Sequence, residues 1–250
     1  MRYRNAIEDS LVIEDSELLP LVTLRPGDPM VRYDETGTKV LLLNVHCHPE
    51  TFKPHSAGIL LFNLWTFTDL EFLAWLETRG SKYHGTNWSQ RLNQLLGMPA
   101  TRYSTHVSGF WVKPQAVIRP AYSLDVFNPI PTDSFNATRD LYQALRAHHA
   151  QQNAPQDAPS DVVPDMEREQ EWDAELEQDW DAVLQWAQAH GAQYRRWFDL
   201  QALIAYGRQD GYPWTRIGYT YDWGNAQPDD SRSKYGVSEF VNYPGLTTGA

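Results

Sequence analysis

Three histidines close together, His46, His48 and His55, with Cys47 and Glu50 among them, are the first side chains whose types could hold a metal ion. On an extended segment His46 and His48 point to the same side, as a pair of imidazole ligands requires, while Cys47 faces away and the spacing specifies no third ligand. Histidines at a strand end more often hydrogen-bond locally, and no HExxH or paired-cysteine pattern accompanies these. The same alternation argues against Cys47 and a neighbouring histidine as a nucleophilic pair. The chain also lacks a GxSxG elbow, a Walker loop and a GxGxxG followed by an acid. Those absences exclude serine α/β-hydrolases, P-loop enzymes and ordinary dinucleotide dehydrogenases. What remains is a polar set drawn from separated segments: Thr66, Thr68, His106, Arg119, Arg216, Tyr219 or Tyr221, and Glu239.

The elements that must position this set can be read from periodicity. VLLLNV at 40–45 and GILLFNL at 58–64 are short apolar runs expected as buried strands. Residues 64–80 change period from strand to helix: Thr68 and Glu71 are spaced as a capping box, Leu70, Leu73 and Leu76 form an apolar stripe with Phe72 and Trp75, and Gly80 is a stop. A short helix is expected at 89–96 before Gly97 and Pro99, a strand at 105–112 and a helix at 134–151. Residues 153–164 read as a linker and 165–190 as a long acidic helix, with Trp172, Leu176, Trp180, Val183 and Ala187 on its core-facing side. Helix resumes over 193–206. At the C-terminal end, WTRIGYTYDW at 214–223 and VSEFVNY at 237–243 are expected as a hairpin. Ile217, Tyr219, Tyr221 and Trp223 would share one face, and Arg216 or Asp222 would approach Glu239 or Ser238. The pattern predicts one α+β domain over 1–250: a mixed, largely antiparallel sheet with flanking helices and the acidic helix.

Charge is uneven along the chain. The total of −11 from 21 basic and 32 acidic residues conceals nine acids against one base between Asp165 and Asp181, and no acid at all from Thr78 to Leu124. That stretch carries Arg79, Lys82, Arg91, Arg102, Lys113 and Arg119, and is expected either to be neutralised by the acidic helix or to line an anion site. The acidic balance argues against double-stranded nucleic acid as a partner. One cysteine excludes a disulfide framework. No apolar run reaches the length of a membrane span and no secretory leader is visible, so the expected location is cytoplasmic.

Two resemblances add to this reading. RLNQLLGMP from Arg91, THVSGFWVKP with IRP over 105–120, and YPWTRIGYTYDWG with VSEF over 212–240 resemble an uncharacterised family of small bacterial proteins. That resemblance implies a bacterial chain and a single fold from about Leu64 onward, with the acidic helix as an elaboration. More faintly, LWTFTDLEFLAWLETRG over 64–80 resembles the opening strand and helix of ADP-ribosyltransferase-like folds, in which an aromatic pair precedes His-x-Thr. Thr66 stands at the family's histidine, a departure at the cofactor-anchoring position, and Thr68 stands at the threonine. SEFVNYPG from Ser238 resembles the late strand that carries that superfamily's glutamate, which places Glu239 in its role.

The resulting expectation is a nucleotide- or NAD-handling transferase or nuclease-like effector. Glu239 would be the catalytic carboxylate, with His106 as acid or base and Arg216 beside them. Arg119 and Arg216 would hold phosphate, while Thr66, Thr68, Tyr219 and Tyr221 would bind substrate. A second reading makes the acidic segment an immunity-like module that binds a basic protein partner. A third makes the chain a structural component, with 212–223 as a packed aromatic hairpin containing an Arg–carboxylate pair.

Overall fold

Strand β1 (Val40–His46) is the centre of the computed structural model, which describes residues 2–50, 63–79, 87–152, 191–208, 211–227 and 230–242. β2 (Leu64–Thr68) and β3 (His106–Val112) flank it, and β6 (Phe240–Asn242) adds to β2, giving the order β3-β1-β2-β6 with every pair antiparallel. A second, two-stranded antiparallel sheet pairs β4 (Tyr219–Tyr221) with β5 (Tyr235–Ser238). Helices α1 (Arg2–Asp9), α2 (Asp69–Arg79), α3 (Trp88–Leu95), α4 (Phe135–Gln152), α5 (191–207) and α6 (Ser231–Lys234) complete an α+β fold, as the mixed periodicities predict. The expected linker 153–164 and acidic helix 165–190, and residues 58–62 of an expected strand, lie outside the described residues. No described helix is long and apolar enough to cross a membrane.

Alternation along β2 decides what each sheet face carries. Trp65 packs with Tyr194, Trp197 and Phe198 of α5, and with Trp214 and Val241. Phe67, two residues on, joins Val45, Trp75, Leu95 and Val237 in a second cluster beneath α2 and α3. On the opposite face Leu42 and Phe240 pack against Leu24, Val31, Val117 and Val126. Each fully buried large side chain in these clusters contributes about 1.5–3 kcal/mol.

Two local expectations give way to tertiary contacts. Thr68 and Glu71 do not close a capping box: Thr68 Oγ1 is buried without a partner among the described residues, and Glu71 reaches across to β5. There it accepts from the Ser238 N–H at 2.8 Å, the Ser238 hydroxyl at 3.3 Å and the Tyr235 hydroxyl at 3.1 Å, so its carboxyl docks the helix on the second sheet. The long strands expected at the C-terminal end are both broken. Arg216 at φ 62° and Gly218 at φ 103° turn the backbone left-handed, which leaves only 219–221 as strand. The second run divides at Glu239, where the chain leaves β5 and enters β6.

Asp222 does not meet the facing strand of the predicted hairpin. It takes Arg91 of α3 in a two-bond pair at 2.9 and 2.5 Å, with both side chains 0% exposed, and the guanidinium lies 4.7 Å from the Trp75 ring centre. Removing one member leaves the other charge buried, a loss of about 3–5 kcal/mol. Asp222→Ala is therefore expected to lower unfolding free energy in urea by that amount, and the double replacement Arg91→Met with Asp222→Leu to recover most of it. A single-variant loss below about 1 kcal/mol, the range of exposed pairs, would contradict the desolvated pair.

Candidate functional site

The break between β5 and β6 carries a buried acid, Glu239. The Glu239 N–H donates to the Gly218 carbonyl at 3.0 Å, and Thr66 pairs with the next residue, Phe240. Glu239 is 8% exposed, and its Oε2 has no hydrogen-bond partner among the described residues. The carboxyl lines a cavity of about 650 Å³, a volume suited to a small organic ligand. The cavity lies between two of the clusters described above. Trp65, Tyr212 and Trp214 wall it from the aromatic side, and Val45, Phe67, Leu96 and Met98 from the other. Gly97, at φ 64° in the turn after α3, closes part of the wall with its Cα beside the Pro213 carbonyl.

Burial controls the titration of this region. Desolvation pushes Glu239 up to about 8, opposed by the charge of Arg119. Glu71 is pushed up to about 7 by burial, opposed by the Ser238 N–H and by the Tyr235 and Ser238 hydroxyls. Arg119 is itself 0% exposed. It donates to the carbonyls of Val22 at 2.8 Å and Asp125 at 3.3 Å, and its guanidinium carbon lies 5.0 Å from the Phe240 ring centre. Burial also depresses His46, helped by neighbouring His106 and His48, so the imidazole is neutral at pH 7. His46 Nδ1 accepts from the His48 N–H at 3.2 Å, which assigns its proton to Nε2 and the 2.7 Å bond to Ser108 Oγ.

Of the sequence-predicted residues, Glu239, Thr66, His46 and His48 meet at the cavity. Thr66 contributes little polarity, because its hydroxyl donates to the Phe240 carbonyl at 3.0 Å. Thr68 and Arg119 are buried away from the lining, and His106 is exposed, stacked on His46 with ring centres 5.8 Å apart. Arg216 lies elsewhere: it donates to the Ser10 carbonyl at 2.9 Å and the Leu11 carbonyl at 2.8 Å, and it approaches the rings of Tyr122 and Tyr206. Tyr219 and Tyr221 likewise face the N-terminal segment, through the Glu17 carbonyl and the Asp9 carboxylate.

The expected basic wall does not form among the described side chains. Arg91 and Arg119 turn inward, Lys113 is exposed, and Arg102 alone lines the cavity. The metal suspects do not assemble either: both His46 nitrogens have protein partners, His55 lies outside the described residues, and no three His, Cys, Asp or Glu side chains gather among those described. β1 ends at His46, so alternation no longer separates its neighbours. Cys47 Sγ lies 3.3 Å from His48 Nε2, and His48 Nδ1 lies 3.4 Å from Glu50, with all three exposed. Sequence reasoning missed Asn44, Trp65, Tyr212 and Trp214. Asn44 carried a signal, a lone amide inside an apolar run; its side chain donates to the Trp65 carbonyl at 2.7 Å.

The two buried carboxyls have a consequence for stability. From the ordinary value of 4.5 up to about 7 for Glu71 and about 8 for Glu239, each keeps its proton in the folded chain where the unfolded chain has released it. The folded state binds more protons, so stability falls as pH rises across that window and levels off above it. A melting temperature that declines from pH 5 to pH 9 is expected, with a shallower slope in Glu239→Gln and shallower still in the double Glu71→Gln, Glu239→Gln chain. An unchanged slope in both variants would show that neither carboxyl carries the linkage. No family model, no curated protein and no solved structure matches this chain, which leaves the chemistry of the cavity to carry the functional reading.

Proposed function

We propose that the cavity beside Glu239 is the active site of a nucleotide-handling transferase, with NAD as its first candidate ligand and Glu239 as its catalytic carboxyl. The observation that carries this reading is the buried side chain of Glu239 on the lining of a cavity large enough for a small ligand, with its Oε2 unpaired among the described residues. Buried polar atoms are ordinarily paired, and an exception at a cavity wall is where a substrate group belongs. The position of Glu239 at the entry to β6, beside the β2 residue Thr66, supports the likeness to ADP-ribosyltransferase-like folds.

The chemistry fits a glycosyl transfer. The bond between ribose C1′ and the pyridinium nitrogen breaks, and its electron pair goes to nitrogen, which leaves as neutral nicotinamide. Positive charge then spreads over C1′ and the ring oxygen, where an ionised Glu239 stabilises it in a low-dielectric site. An acceptor hydroxyl or water attacks C1′ and gives its proton to the carboxylate, which restores the protonated acid of the empty cavity. Arg102, on the same lining, is placed to meet a phosphate. The competing reading as an acidic protein-binding module rests on residues 165–181, which lie outside the described residues.

Glu239→Gln keeps the shape and removes the charge. It is expected to lower nicotinamide release from NAD by about 100- to 1,000-fold, while the melting temperature at pH 7 stays at or above that of the parent chain, because the amide carries no linked proton. Equal release by the two chains, or none by the parent, would overturn the assignment.

A further inference from the structure

The polar groups around Glu239 are already committed. The Tyr212 hydroxyl donates to Gln201 Oε1 at 3.1 Å, the Thr220 hydroxyl to the Leu95 carbonyl at 2.6 Å, and Trp214 Nε1 to the Pro120 carbonyl at 3.1 Å. The Thr66 hydroxyl and the Asn44 amide are directed to backbone carbonyls as well. None of these donates to Glu239, whose Oε2 is buried without a partner among the described residues and whose exposed remainder lines the cavity. The surface beside the carboxyl is aromatic. The Trp65 ring meets Tyr212 and Trp214 nearly at right angles, 80° and 84°, with ring centres 6.3 Å apart in both cases, and Trp65 and Tyr212 remain partly exposed.

An acid at the end of an aromatic corner is matched to one chemistry. Aromatic faces attract a diffuse positive charge and cannot replace the water around a compact, strongly hydrated ion. We infer that the group this cavity seats against Glu239 is an organic cation, a positive nitrogen on an apolar frame such as a pyridinium or a methylated ammonium. The inference builds on the reading of this cavity as a ligand site and names the part of the ligand that the carboxyl recognises. A neutral isostere gains one hydrogen bond there, whereas a cation gains charge attraction in a site shielded from water.

Recognition of this kind displaces a proton. Empty, the cavity holds Glu239 protonated, and an arriving cation ionises it. The charged and titratable groups that face Glu239 or share its cavity are few among the described residues. Arg119 acts on it through its charge; its Nε and Nη2 donate to backbone carbonyls, and its Nη1 is buried without a partner among the described residues. Tyr212 lies beside it and is neutral, pushed up by burial and then by Glu239 itself. His46, His48 and Arg102 lie elsewhere on the lining. Of these, Glu239 is the buried carboxyl, raised by desolvation, that an entering positive charge meets.

Titration calorimetry on the full chain at pH 7, in two buffers of different ionisation enthalpy, tests this with 1-methylnicotinamide, its neutral counterpart nicotinamide, tetramethylammonium and ADP-ribose. 1-Methylnicotinamide is expected to bind at least 10-fold more tightly than nicotinamide, with close to one proton released, and Glu239→Gln to abolish both the preference and the release. Binding of tetramethylammonium as well would assign the site to cationic nitrogen in general; its failure beside tight 1-methylnicotinamide would narrow it to pyridinium. Equal affinity for the charged and neutral pair overturns the inference, as does a preference that survives Glu239→Gln or an absence of binding by every probe. ADP-ribose bound without any cation preference removes the inference and leaves the nucleotide reading standing. A cation preference in a chain that releases no nicotinamide from NAD does the reverse.

Discussion

A guanidinium with no exposed surface, that of Arg119, sets the terms for much of the structure around it. Arginine does not shed its proton at any ordinary pH, so the fold has to satisfy the charge where it lies. Carbonyls of the loops at Val22, Asp125 and Val126 turn inward to it, and Phe240 lays its ring against it. The backbone of Gly218 passes so close that a Cβ there would come within 2.6 Å of Arg119 Cδ. That close approach, with the left-handed φ of Gly218, stops the strand that the sequence would otherwise continue from Trp214. The Gly218 carbonyl then takes the Glu239 N–H, at the point where the chain changes sheet. Arg119, Gly218 and the β5–β6 break are one connected arrangement, and the exposure of Glu239 to the cavity depends on all three.

Polar residues on the aromatic C-terminal segment serve two purposes, and partner accounting separates them. Arg216 holds Ser10 and Leu11, Tyr219 holds Glu17, Tyr221 holds Asp9, and Lys234 Nζ reaches Asp9 and Glu17 at 2.7 Å each. Together they bind the segment after α1 to the second sheet. The left-handed conformation of Arg216 costs about 1–3 kcal/mol, and its bonds to two carbonyls and to the Tyr122 hydroxyl hold it there. These side chains looked like a binding surface because they are polar among aromatics. Apart from Arg216 Nε, which like Glu239 Oε2 is buried without a partner among the described residues, the polar atoms of these side chains end on the protein itself.

What the sequence made legible was local. The period change between β2 and α2, the helix stop at Gly97, and the strands 40–45 and 105–112 follow from side-chain alternation and turn chemistry, and the structure has them within a residue or two. Glu239 could be singled out as a residue, but its setting could not, since its N–H is held by Gly218, which packs against Arg119, 120 positions away from Glu239. The basic stretch misled for a related reason: counting charge along the chain says nothing of direction, and Arg91 and Arg119 point inward to Asp222 and to carbonyls. Trp65 and Tyr212 carry no sequence mark that distinguishes a cavity wall from a core. Asn44, an amide within VLLLNV, was the nearest thing to one.

Glu71 and Glu239 form a natural comparison within one electrostatic field. Both are buried, both are raised by desolvation, and both feel Arg119. Glu71 receives a backbone N–H and two hydroxyls, a set that closes its hydrogen bonding and fixes α2 to β5. Its neighbour across the strand, one residue beyond Ser238, receives no such set. If burial alone had shaped this region, an apolar side chain at 239 would pack as well and avoid the cost of an unmet carboxyl oxygen. The fold satisfies one acid completely and sets the other on the lining of a cavity that Trp65, Tyr212 and Trp214 share. The contrast is between an acid whose hydrogen bonding closes on Ser238 and Tyr235 and an acid carried by the very next residue whose Oε2 does not close on the described protein.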